Sequence, residues 1–261
     1  MKRTILASLI LAGLSTPALA LDATASFAAA RETMEQDNPA ELFADQGEVL
    51  WTAKRGPKNI SLSESCDLGD GIGKIAGYAR FPRYFADTGK VMDAERRVVW
   101  CMTEKQGLPA PTQSFSNDSS TPDQVLLVTY LATQAKNTPL SVDLKQPETK
   151  RAYELGQAIF KHRAGPFDFS CQTCHGDNGK RIRMQDLPNL EGKEAFAAAK
   201  GWPGYRMTGG FMLTQQWRMN DCFRQQRFPE PKYLSDSITA LLTYLTANAN
   251  GQVYSGPGIK R

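Results

Sequence analysis

Cys171, Cys174 and His175 stand in the string CQTCHGDNGK, with two residues between the thiols and an imidazole directly after the second. This C-x-x-C-H spacing is the attachment signature of c-type haem. One helical turn brings both sulfurs to one face, where they can form thioethers with the two vinyl groups. The next residue then sets an imidazole nitrogen under the iron. Gly176 and the polar residues after it let the chain turn away from the ring. One covalently bound haem c is therefore expected. A zinc half-site is the first alternative, but it wants a second ligand pair, and only His162 and Cys222 remain nearby. A thioredoxin-like pair is the second. It wants a preceding strand in a βαβ context, which AGPFDFS does not supply.

His175 is the expected proximal ligand, and the far side of the iron is open to several groups. Met207, Met212 and Met219 would each give a His/Met pair with a raised potential. Cys222, in WRMNDCFRQQR, would give a His/thiolate pair, which stabilises ferric iron and lowers the potential. His162 lies nine residues before Cys171, on the proximal side, and is set aside. Cys222 is flanked by Arg218, Arg224 and Arg227, and Lys180, Arg181 and Arg183 follow the haem string. Cations lower a thiol's pKa and favour the thiolate. They would also hold an anionic substrate beside the sulfur. A buried structural thiol is the plainer alternative.

The elements that must position these groups begin after a leader. Residues 1–20 carry a basic start at Lys2 and Arg3, an apolar run from Ile5 to Leu14, and a small-residue cleavage site at Ala18-Leu19-Ala20. That is the pattern of a signal peptide, and the run is too short to span a bilayer. No other stretch is apolar enough for a membrane helix, so a soluble mature chain in the bacterial periplasm is expected. Removing the leader lowers the formal net charge from +4 to +2, which gives no reason to expect nucleic-acid binding. Positive charge gathers locally instead: residues 161–183 and 205–232 each hold five basic and two acidic side chains.

Cys66 and Cys101 lie in the first half, where no histidine occurs. In an oxidising compartment the two most simply form a disulfide, with buried free thiols as the alternative. Cys222 is then left over. The halves also resemble each other. LLVTYLATQAKN (Leu126–Asn137) reads against ALLTYLTANANG (Ala240–Gly251), with Tyr130 opposite Tyr244. Arg97 stands four residues before Cys101, and Arg218 four before Cys222. SESCD (Ser63–Asp67) reads against CQTCH, with Ser63 for the first cysteine, Cys66 for the second and Asp67 for the histidine. The expected fold is mainly α: two tandem cytochrome-c-like domains, at 21–145 and 146–261, the first having lost its haem.

Three stretches carry a resemblance to a known family: CQTCHGDNG, GGFMLTQQWRMNDCFRQQRFPE, and YARFPRYFADTGKVMDAERRVVWC. The chain resembles SoxA, of the SoxAX cytochromes of bacterial thiosulfate oxidation, over nearly all of its mature length. With one C-x-x-C-H it looks like the monoheme type, a Cys66–Cys101 bridge standing in place of the lost haem. The resemblance implies a heterodimer with the haem subunit SoxX. It implies oxidative conjugation of thiosulfate to a cysteine thiol of the carrier SoxYZ, with electrons passing to a cytochrome c. Carried over, Cys171 and Cys174 hold the haem, His175 and Cys222 ligate the iron, Cys222 is the catalytic cysteine, often a persulfide in this family, and Arg218 contacts substrate. No role carries over to Lys180, Arg181 or Arg183. Two other readings stand beside this one: a periplasmic electron-transfer cytochrome with His/Met ligation, and a thiosulfate dehydrogenase forming tetrathionate. Members of the latter class usually carry two haem motifs, and this chain has one.

Overall fold

Two crossed helix pairs frame the computed structural model, which describes Ala29 and residues 32–34, 37–115, 120–182 and 185–260. The leader and Arg183 lie outside the described residues. The chain divides at residues 36 and 37 into a short unit and a large one. In the short unit, the Thr33 hydroxyl donates to the Ala29 carbonyl at 3.1 Å. Everything below concerns the large unit, 37–261.

Helix α1 (Ala40–Thr52) packs on a long later helix, Asp123–Gln134. Pro147–Lys161 packs in the same way on Asp236–Ala247. The later member of each pair is apolar on almost every side, so it runs through the interior. Each crossing is made at a glycine. A Cβ on Gly47 would collide with the Leu126 carbonyl, and one on Gly156 with the Ala240 carbonyl. The same hypothetical atoms would stand 2.8 Å from the Cβ of Tyr130 and of Tyr244. The helix match read from sequence, Leu126 with Ala240 and Tyr130 with Tyr244, is thus a match in packing.

Between its two long helices each half repeats one series of elements. A tight loop closes on a β-bridge, Arg55 to Ile60 in the first half and Ala164 to Phe169 in the second. A serine then caps a short helix through a capping box: Ser61 before α2 (Leu62–Ser65), and Ser170 before Cys171–His175. Further on comes an antiparallel hairpin, β1 (Arg83–Phe85) with β2 (Lys90–Met92), matched by Gly201–Arg206 with Phe211–Leu213. Last is a capped helix. Asp93 caps α3 (Ala94–Trp100), which runs on into a wider turn at Cys101–Lys105. Thr214 caps Gln215–Gln225. In chain order the remaining elements are α4 (Asp123–Gln134), α5 (Pro147–Lys161), α6 (Cys171–His175), β3 (Arg181–Ile182), β4 (Gln185–Asp186), β5 (Gly201–Arg206), β6 (Phe211–Leu213), α7 (Gln215–Gln225), α8 (Asp236–Ala247) and β7 (Pro257–Lys260). Strand β7 lies parallel to β5, and β3–β4 is a small hairpin after the haem string.

The capping boxes correct the sequence register of the degenerate motif by one residue. Ser61 corresponds to Ser170, so Leu62 and Ser65 occupy the places of Cys171 and Cys174, and Cys66 occupies that of His175. The caps Asp93 and Thr214 keep Cys101 in the place of Cys222. Cys66 and Cys101 form the expected disulfide. The bridge therefore joins the two positions that, in the second half, belong to the expected axial ligands. Cys66 thus does not stand at the place of Cys174, where the sequence alignment puts it. The sequence comparison followed the surviving cysteine letter, whereas the backbone hydrogen bonds fix the register.

The first half closes over this bridge: Leu62, Cys66, Val98 and Cys101 are fully buried in a core with Trp51, Phe81, Phe85, Leu127 and Leu131. The halves meet through a buried polar cluster. Gln216 donates to both carboxylate oxygens of Asp93 at 2.9 Å, and Thr239 donates to one at 2.8 Å. The Tyr233 hydroxyl donates to Glu95 at 2.5 Å. None of the described helices is long and apolar enough to cross a membrane.

Candidate haem and anion site

Ser170 places the three residues of the haem string. Its hydroxyl accepts from the Thr173 backbone at 3.2 Å, while the Thr173 hydroxyl accepts from the Ser170 backbone at 3.0 Å. The helix they start is a single turn, as long as C-x-x-C-H requires, and Gly176 ends it by donating to the Gln172 carbonyl at 2.8 Å. Glu191 ties this turn to the frame. It accepts from Gln172 at 2.8 Å and from the Tyr244 hydroxyl at 2.8 Å, and it pairs with Lys161 at 3.4 Å. Burial pushes its carboxyl up, but the hydrogen bonds from Tyr244 and Gln172 outweigh that and hold it below the usual range.

His175 Nδ1 lies 2.9 Å from the Pro188 carbonyl. A carbonyl only accepts, so Nδ1 carries the proton and Nε2 keeps a lone pair for a metal. Burial lowers the imidazole pKa, and the nearby Arg218 charge adds to this, so the neutral ligand form is favoured. Pro188 has no sequence signal; its role follows from the loop alone.

Cys171, Cys174 and Cys222 are all free and half-exposed. Cys171 packs with Met219 and Phe223 of α7 against Phe160, Leu241 and Tyr244. Burial pushes the Cys171 thiol up to about 12, and the neighbouring Cys222 and Cys174 add to this. Cys171 of α6 and Met219 and Phe223 of α7 pack against one apolar cluster, so the two helices lie together. The donor set fits a haem. Two thiols and an imidazole lone pair approach from one turn, a third thiol approaches from the facing helix, and partly bared apolar side chains would cover a flat ring. The donors do not suit a zinc ion. Among the described residues, no three His, Cys, Asp or Glu side chains cluster as a metal-ion site.

The sixth-ligand candidates separate. Met212 is fully buried in a different cluster, with Ala40 and Val125. Met207 is 48% exposed in the turn of the β5–β6 hairpin. His162 is the exposed C-cap of α5. Met219 and Cys222 lie on α7, three residues apart, beside the haem string. The counterpart of Met219 is the core residue Val98, whereas that of Cys222 is bonded to the counterpart of His175.

The arginines do less to the thiol than their number suggests. Burial raises the Cys222 pKa; Arg218 pulls it down, and Asp221 and Cys174 push it up again. Asp221 was not singled out from sequence, although its place three residues after Arg218 and three before Arg224 on one helix face is a readable signal. It pairs with Arg218 at 3.2 Å and also with Arg224, and so offsets part of their charge. Arg218 thus lowers the thiol pKa as a nearby cation should, but burial outweighs it. Arg227 lies over the Phe167 ring, Lys180 pairs with Asp177 and Arg181 with Asp186, which leaves Arg218 as the cation coupled to both Cys222 and His175.

A haem-attachment turn, an oriented imidazole and a facing helix with a free thiol define a c-type cytochrome. A family model described as SoxA/TsdA, cytochrome c domain, matches residues 46–140, which is the disulfide-bonded half rather than the half with the haem string. The L-cysteine S-thiosulfotransferase subunit SoxA of Hydrogenophilus thermoluteolus is 45% identical over 276 residues, spanning all of this chain and all of that protein. A protein of the same name from Hydrogenobacter thermophilus is 30% identical, over 84% of this chain and 83% of its own length. The crystal structure of SoxXA from P. pantotrophus matches with a TM-score of 0.74 and 28% identity, over 89% of this chain and 83% of that one. The chain belongs to the SoxA family.

Proposed function

We propose that this chain is the catalytic subunit of a periplasmic thiosulfate-conjugating cytochrome, an L-cysteine S-thiosulfotransferase. It joins the sulfane sulfur of thiosulfate to a cysteine thiol of a SoxYZ carrier. One S–S bond forms, the thiol proton leaves, and two electrons go to a cytochrome c acceptor by the exit that a bound haem would supply. The chain carries one haem c in a second cytochrome-c-like domain, 146–261. The first, 21–145, has lost its own, and 1–20 is a cleaved signal peptide. SoxX is the partner, as the name of the P. pantotrophus complex suggests.

One observation carries this reading. Cys222 is a free thiol at the position whose counterpart, Cys101, is bonded to the counterpart of His175. A backbone that brings two sulfurs into bonding distance in one half favours a thiol facing the imidazole in the other. Cys171 and Cys174 would hold the haem covalently, His175 and Cys222 would bind its iron, and the group would supply a one-electron exit. Arg218, four residues before Cys222 and so one helical turn away, binds the sulfonate end of the dianion. Asp221 holds the guanidinium in place through its 3.2 Å ion pair. Cys222 is the sulfur that receives and passes on the sulfane group, and partial burial keeps water from competing for it. The Pro188 carbonyl keeps the proton on Nδ1 of His175 throughout.

Met219 supports a second reading, a His/Met electron-transfer cytochrome, because it shares α7 with Cys222 and packs against the same apolar cluster as Cys171. Electron paramagnetic resonance of the ferric protein separates the two. A thiolate signature lost in Cys222→Ala, with one covalent haem retained by mass, is expected. A spectrum indifferent to Cys222 and altered in Met219→Leu would put the thiol outside the iron's reach. Product analysis adds the third case: tetrathionate formed without any carrier would make the protein a thiosulfate dehydrogenase.

A further inference from the structure

Each half has an arginine at the same place in the helix after its hairpin: Arg97 in α3 and Arg218 in α7, four residues past the caps Asp93 and Thr214. The hairpin turns correspond as well. The Gly89 backbone donates to the Phe85 carbonyl at 2.9 Å, and the Gly210 backbone to the Arg206 carbonyl at 2.8 Å. Both glycines adopt left-handed backbone, with φ of 66° and 73°. Arg206 therefore holds the place of Phe85, and Thr208 that of Asp87.

These two exchanges change what surrounds the arginine. Arg97 is closed off: it is 1% exposed, bidentate to Asp87 at 3.0 and 2.8 Å, bonded to the Asp67 carbonyl at 2.7 Å, and 4.0 Å from the centre of the Phe85 ring. Arg218 has a side chain 40% exposed and no acid on its hairpin. Arg206 follows Tyr205, which packs on Phe43, so it faces the other side of the strand, where Phe85 meets Arg97 in the first half. Arg206 is half-buried and forms no ion pair among the described residues. Relative to the first half, the hairpin beside the helix arginine gains one cation and loses one anion, while Asp221 on its own helix pairs with Arg218 at 3.2 Å.

We propose that Arg206 is a second cationic contact of the thiosulfate site, and that an uncharged residue at 208 keeps Arg218 available for the dianion. This rests on the reading of Cys222 and Arg218 given above. Thiosulfate carries two negative charges, and two guanidinium groups from a strand end and a helix turn would grip its oxygens from two directions.

The test uses the holo chain with its SoxX partner. Steady-state kinetics on thiosulfate are read beside calorimetric titration with sulfate, an unreactive dianion. Arg206→Gln should raise KM and weaken sulfate binding by about tenfold, with kcat changed little. Thr208→Asp should do the same, by giving Arg218 the partner that Arg97 has. Thr208→Asn should change neither. Unchanged KM and sulfate affinity in Arg206→Gln would overturn the proposal, and should Thr208→Asp not fold, that variant decides alone. An equal loss in Thr208→Asn would also count against it, because charge would not be the cause. A wild-type complex inert to thiosulfate would count against the functional reading, while the sulfate titration would still decide the arginine pair.

Discussion

The two halves of the large unit carry the same turns, caps and crossings, yet one is shut and the other open. In the first, the places of His175 and Cys222 are taken by two cysteines bonded to each other, 5.6 Å apart at Cα. Leu62 and Val98 fill the space beside the bridge. In the second, Cys171, Met219, Cys222 and Phe223 remain half-covered, with no bond joining His175 to Cys222. Direct bonding between these two positions leaves no room for a ring between them. The comparison teaches that one backbone can be stabilised by a crosslink or furnished for chemistry, and that a few side chains decide which.

The sharpest way to break the comparison is to remove the crosslink. Changing Cys66 and Cys101 together to alanine should cost about 4 kcal/mol, as expected for a loop of this length in the chain-entropy model. For a domain of this size that is roughly a 10 °C fall in Tm. Calorimetry on the oxidised wild type and the double variant would show it. A loss under about 1 kcal/mol would mean that the bridge is incidental and that packing alone holds the first half shut.

The arginine pair gives the next effect, and it should split cleanly. Arg97→Ala removes a fully buried, hydrogen-bonded and stacked side chain, and should destabilise the protein by about 3 kcal/mol with thiosulfate KM unchanged. Arg218→Ala should cost under about 1 kcal/mol of stability, since its pair with Asp221 is partly exposed, while raising KM at least about tenfold. Equal effects of the two variants on stability would deny that one of these arginines has been released for binding.

The glycine crossings should behave alike instead. Gly47→Ala and Gly156→Ala each push a methyl group into a carbonyl of the facing helix, and each should cost about 1–3 kcal/mol by overpacking. Urea midpoints measure this. A harmless Gly156→Ala beside a damaging Gly47→Ala would mean that the second half yields where the first does not.

How far the sequence could be read followed the chemistry. Covalent haem attachment needs contiguous residues, so Cys171, Cys174 and His175 were plain, and Cys222 stood out as an unpaired thiol. The repeat was visible where side chains pack, at Tyr130 and Tyr244. It slipped by one residue where side chains had diverged and the backbone hydrogen bonds of Ser61 and Ser170 alone kept register. The β5–β6 hairpin gave no periodic signal, because one of its strands is three residues long and its turn is held by main-chain bonds. Arg206 and Thr208 were therefore passed over. The placing of Asp93 and Glu95 inside the protein also ran against expectation, since acids are rarely buried without partners.

Those two acids set the smallest predicted effect. Glu95 is 3% exposed, accepts from Tyr233 and has its other oxygen unpartnered. Burial pushes its carboxyl up to about 8; the nearby Thr214 hydroxyl and the hydrogen bond from Tyr233 act against this, and the charge of Asp93 adds to it. The folded protein therefore binds a proton that the unfolded chain, with an ordinary value near 4.5, has already released. Stability from this group is complete below the unfolded value and is lost as pH rises through the folded one. Between pH 7 and pH 9 the loss amounts to about 1.4 kcal/mol. Glu95→Gln should remove that slope without disturbing the cluster, because the counterpart of Glu95 in the second half, Gln216, is already an amide. Urea unfolding of both proteins at the two pH values measures the difference. A wild type whose slope matches that of the variant would show that Glu95 is ionised inside the junction, and that Tyr233 and Thr214 stabilise its charge.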